Sequence, residues 1–76
     1  MQLNQIEMYL VDMECKILEE FENNVATAFI DADFEVALMK INISAQRGYI
    51  DAEDYIRLIH QLRYCKKLWK KLNDVK

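Results

Sequence analysis

The polar and apolar positions of Asp31 to Arg47, DADFEVALMKINISAQR, set the problem for the whole chain. On a helix turning ~100° per residue, the apolar residues fall on two opposite sides with polar residues between them. One side carries Ile30, Phe34, Ala37/Leu38, Ile41 and Ala45, and the other carries Ala32, Val36, Met39 and Ile43. A surface helix of a small monomer needs one such stripe. This helix is therefore expected to lie between two partners, inside the chain or across an interface.

The segments on either side read as single-stripe helices. Upstream, Leu3, Ile6, Leu10, Met13, Ile17 and Phe21 recur at helical spacing, with Asp12, Lys16, Glu19 and Glu20 mostly off the stripe. Asn4 is placed to cap this helix, with Glu7 as capping-box partner and Leu3 and Met8 at the staple positions. Its end is signalled only by Asn23-Asn24. Val25, Ala28/Phe29, Ala32, Val36, Met39 and Ile43 continue a stripe without a phase break, so residues 4 to 47 are also readable as one helix of ~65 Å. Acids at Asp31, Asp33 and Glu35 suit the first turn of a new helix, which favours a break between Asn23 and Asp31. Downstream, Gly48 is placed to take the left-handed position after Arg47, and Asp51 to cap the next helix, with Ile50 and Tyr55 as its staple pair. Tyr55, Leu58/Ile59, Leu62, Cys65, Trp69 and Leu72 then form one seam.

The expected fold is all-α: a single helical domain over residues 1–76, either a small three-helix bundle, with helices at about 4–24, 31–47 and 52–73, or a helical hairpin with the first two helices continuous. With 53% hydrophobic and 30% charged residues, one glycine and no proline, the composition suits a folded helical chain. No apolar run approaches the ~20 residues of a membrane span and no leader pattern precedes it, so an intact, soluble, cytoplasmic chain is expected. Cys15 and Cys65 are far apart and fit no zinc or redox spacing, so reduced packing thiols are expected.

The net charge of −3 conceals an asymmetry. Residues 1–54 hold twelve acids against three bases, a balance of −9, whereas residues 55–76 hold seven bases and one acid, a balance of +6. The outer side of the last helix gathers Arg57, His60, Arg63, Tyr64, Lys67, Leu68 and Lys71. Such a face suits either packing against the acidic helices or phosphate contact. An acidic body argues against nucleic acid as the partner. A small regulator binding nucleic acid through this helix stays open as an alternative.

Chemistry finds little support. Gly48 to Asp54 resembles the second half of an EF-hand loop, but the positions that would hold the first calcium ligands are Ile43, Ala45 and Arg47. His60 has no sequence neighbour that makes it a ligand or base, and Ser44 sits on a helix without a nucleophile elbow. No catalytic residue, cofactor, metal or small-molecule substrate is expected. The class that remains is a non-enzymatic protein-binding module, adaptor- or chaperone-like, working through Val36, Met39 and Ile43 together with Tyr64, Lys67, Leu68 and Lys71. Its partner would be a protein or a second copy of the chain, with a phage- or plasmid-type inhibitor of a host protein as the alternative of the same build.

Asn4-Gln5-Ile6-Glu7 followed by Leu10, the Gly48 to Asp51 turn, Tyr55 and a closing amphipathic helix resemble the small co-chaperones of type III secretion needle subunits. That resemblance covers most of the chain. It implies a helical hairpin that pairs with a second chaperone to hold a needle subunit in solution, and it assigns no individual residue a role.

Overall fold

The computed structural model describes residues 2–23 and 29–75, and in them the chain forms three α-helices: α1 (Leu3–Glu22), α2 (Asp31–Gln46) and α3 (Ala52–Val75). Asn23 closes α1, and Phe29 and Ile30 are non-helical, so the first two helices are separate. Val25 and Ala28, which were expected to continue the stripe, lie outside the described residues.

The start of α1 departs from expectation. Gln2, not Asn4, is the cap: its backbone N–H donates to Gln5 Oε1 at 3.0 Å, while its carbonyl accepts from Gln5 and Ile6. Starting early places Leu3 inside the helix, where it packs against the core, while Met8 points to solvent, so the two form no staple, and Asn4 is an exposed residue of the first turn. Glu7 instead pairs with Arg57 of α3.

The turn before α3 follows its sequence signals closely. Gly48 has φ +78°, and the N–H groups of Gly48 and Tyr49 return to the carbonyls of Ala45 and Ser44 at 3.2 and 3.0 Å, which is a Schellman closure. Asp51 then caps α3, its Oδ1 accepting from the Asp54 N–H at 2.8 Å. Ile50 is buried and Tyr55 half-buried against the core, and the Tyr55 hydroxyl donates to Asn42 Oδ1 at 2.7 Å, fixing α3 to α2.

The third helix is the centre of the bundle. It packs along both α1 and α2, while those two touch each other only lightly. The reason lies in its broad apolar arc: Leu58, Leu62 and Cys65 are buried, and Ile59, Leu68, Trp69 and Leu72 pack beside them. From α1 the core receives Ile6, Leu10, Met13 and Ile17, and from α2 it receives Phe34, Ala37 and Ile41. Phe34 stacks at a tilt on Trp69, with ring centroids 5.2 Å apart. Lys40 lies over the Tyr9 ring at 4.9 Å and ties α2 to α1.

The bundle is elongated, 40 × 18 × 17 Å, with a radius of gyration of 13.0 Å. A compact chain of this length would have about 11 Å. So drawn-out a shape buries one side of each helix and leaves the other to solvent.

The thiols differ sharply. Cys65 is buried with its Sγ 3.7 Å from the Leu10 carbonyl, and Cys15 is exposed. Burial, with the nearby Glu14 charge, pushes the Cys65 thiol from 9.0 up to about 11. A native sample should therefore titrate one fast thiol against a chromogenic disulfide and two after denaturation. The raised value means that the folded state holds this proton more tightly than the unfolded state. The stabilisation is complete below about pH 9 and is lost as pH rises towards 11, so the melting temperature should fall across that window.

Candidate protein-binding surface

Helix α2 builds its two sides from one regular spacing. Phe34, Ala37, Ile41 and Ser44 turn inward and are buried, and the acids Asp31 and Asp33 occupy the first turn, where the helix dipole favours them. Asp33 Oδ2 also accepts from the Ile30 N–H at 2.8 Å. On the opposite side Val36 is 44%, Met39 58% and Ile43 37% exposed, with exposed Ala32 in line with them. No helix of the described chain covers this side. The stripe is flanked by Asp33 and Lys40 on one edge and by Glu35 and Asn42 on the other.

The second group of expected site residues lies on the outer side of α3. Tyr64, Lys67 and Lys71 are exposed there, but Leu68 is half-buried against the core and is not free for a partner. Arg57 also leaves this face, because its guanidinium is held by Glu7 and Asp54, which raise its affinity for its proton. Lys66 reaches Asp31 at 3.9 Å. Arg63, Lys67, Lys70 and Lys71 have no ion-pair partner among the described residues, so the basic strip is solvated rather than folded onto the acidic helices. The α2 and α3 groups thus stand on the outer sides of two different helices.

A third surface escaped the reading of the sequence. Met8, Val11, Cys15 and Leu18 of α1 are all exposed, Met8 at 67%. Their 3-4-3 spacing was a legible signal, but it was overshadowed by the stronger inward stripe of the same helix. Acids border it at Asp12, Glu14 and Glu19.

Pockets for small ligands are slight. A groove of about 220 Å³ between α2 and α3 runs beside Glu35, Leu38, Arg63 and Lys66, and depressions of about 410 Å³ beside Ala45, Ile50 and Ile56 and about 340 Å³ beside Asn4, Met8 and Val11 lie open to solvent rather than enclosing a ligand. Among the described residues no three His, Cys, Asp or Glu side chains converge as a metal site. Ser44 is fully buried, and its Oγ has no hydrogen-bond partner, so substrate has no access to it. His60 is exposed.

No family model, curated protein or solved structure matches this chain. The functional reading therefore rests on the surface itself. Among the described residues no helix is long and apolar enough to cross a membrane.

Proposed function

We propose that this chain is a non-enzymatic protein-binding module of the cytoplasm, adaptor- or chaperone-like, whose principal contact surface is the outer side of α2. The observation that carries the reading is the exposure of Val36, Met39 and Ile43 in one line, opposite the buried Phe34, Ala37 and Ile41. Aligned apolar groups at helical spacing suit pairing with another helix, and methionine adapts its shape to the partner. The resemblance to needle-subunit co-chaperones supports a helical protein as that partner. Exposed Tyr64, Lys67 and Lys71 of α3 form a secondary surface that favours an acidic partner segment.

Met39 is the residue to change, since it is the most exposed of the three and contributes little to the core. Tagged wild-type chain and Met39→Glu, expressed at equal levels in the source cells, are compared after affinity purification. Wild type should retain a stoichiometric companion, identified by mass, that Met39→Glu loses while keeping its helical circular dichroism. Recovery of the same proteins with both variants would overturn the assignment of this surface.

A further inference from the structure

We propose that the outer side of α2 is covered by a second copy of the same chain, paired antiparallel about a two-fold axis. The inference rests on the reading of this surface as a protein-binding site and names its occupant. Three apolar or charged faces point outward in the bundle, and they differ in how each would meet its own copy. The α1 stripe of Met8, Val11, Cys15 and Leu18 is bordered by Asp12, Glu14 and Glu19, so two copies would bring acid against acid. The outer side of α3 carries Arg63, Lys67, Lys70 and Lys71 without ion-pair partners among the described residues, and two copies would bring base against base. Only α2 is complementary to itself.

Its charge is divided along its length, with Asp31, Asp33 and Glu35 in the first half and Lys40 near the middle, followed by Arg47 at its end. Antiparallel pairing sets the acidic half of one copy beside the basic half of the other and opposes the two helix dipoles. Ala32, Val36, Met39 and Ile43 have the 4-3-4 spacing of a helix-pairing seam. With the axis passing between residues 37 and 38, Ala32 meets Ile43 of the second copy and Val36 meets its Met39, each twice. In the same register Asp33 shares an edge with Lys40 of the second copy on both sides of the axis, and the Lys40 ammonium, which lies over the Tyr9 ring of its own chain at 4.9 Å, reaches that Asp33 by swinging off the ring. The other edge pairs Glu35 with Asn42, which creates no like-charge contact. A parallel arrangement would set Lys40 beside Glu35 of the second copy, leave Asp33 without a basic partner and align the two helix dipoles.

A seam of four layers lies at the small end of specific interfaces, roughly 1,000 Å² in total, and suits a reversible dimer of micromolar affinity. The mass expected at high concentration is therefore twice the 9.1 kDa of the chain.

Sedimentation equilibrium on the full chain tests both the occupant and the register. Lys40→Glu alone, or Asp33→Lys alone, places like charges together at both edges and should raise the dimer Kd by roughly tenfold. An equimolar mixture of the two variants restores opposite charges at every edge position, so it should recover a heterodimer close to wild-type affinity. Met39→Glu, which leaves the Asp33 cap intact, is the independent control and should be monomeric and helical. A wild type that stays monomeric at several hundred micromolar, or a mixture no tighter than either variant alone, would overturn the proposal. If that monomer still retained a Met39-dependent companion from cells, the protein-binding reading would stand and only the second copy would be lost.

Discussion

Ile41→Ala should destabilise the chain by ~2–5 kcal/mol, measured by urea denaturation with circular dichroism. Ile41 is fully buried at the middle of α2, on the side that faces α3, and the removed carbons leave a cavity that the surrounding helices cannot close without moving. Small domains are stable by about 0.05–0.15 kcal/mol per residue, so roughly 4–11 kcal/mol is available to a chain of this length. The single substitution therefore removes a large share, and the variant should show a marked loss of cooperative folding at physiological temperature. By contrast, Met39→Ala on the same helix should leave the denaturation midpoint of the monomer almost unchanged. The pair of variants separates the side of α2 that folds from the side that binds.

Trp69→Ala should cost about 3 kcal/mol, the lower end of the range for large aromatic truncations. Trp69 is packed against Phe34 and the core, so its loss opens the end of the bundle where α2 begins. Two features lower the figure. The side chain is half-buried rather than enclosed, and its Nε1–H is buried without a hydrogen-bond partner, which already costs the folded state. Trp69→Phe should for the same reason be much milder than Trp69→Ala, because it keeps an aromatic contact and removes the orphan donor. A Phe variant as unstable as the Ala variant would show that ring area, and not the position beside Phe34, decides the effect.

The helices themselves were readable because their signals are local. Gly48 and Asp51 lie within a few residues of each other, and each is satisfied by backbone geometry of the turn itself. The start of α1 was misread for the opposite reason. Asn4 and Glu7 have the composition of a capping box, but Arg57, fifty positions away in the chain, takes Glu7, and Leu3 contributes more as a core residue than as a staple. The central role of α3 was likewise hidden, since a seam of residues does not reveal that two helices share it. Ser44 was not recognised as core, because a buried hydroxyl without a partner has no apolar signature.

Of the candidate surface, the α2 stripe was legible in full. Val36, Met39 and Ile43 repeat at helical spacing, and nothing in the described chain comes to cover them. Leu68 and Arg57 were placed outside by the same spacing, but the core reaches Leu68, and Arg57, though exposed, has its guanidinium held by Glu7 of α1 and Asp54 of its own helix.

The methionines provide the most direct measurement of the central claim, which is that the outer side of α2 is the binding surface. Met39 and Met8 are both exposed in the single chain, on α2 and α1 respectively, and Met13 is buried. Hydroxyl-radical oxidation followed residue by residue, in dilute chain and in the assembled form, compares the three within one sample. Met39 should react in the dilute chain and become protected on assembly, while Met8 stays reactive and Met13 protected throughout. Protection of Met8 with Met39 still fully reactive would contradict the account and move the binding surface to α1.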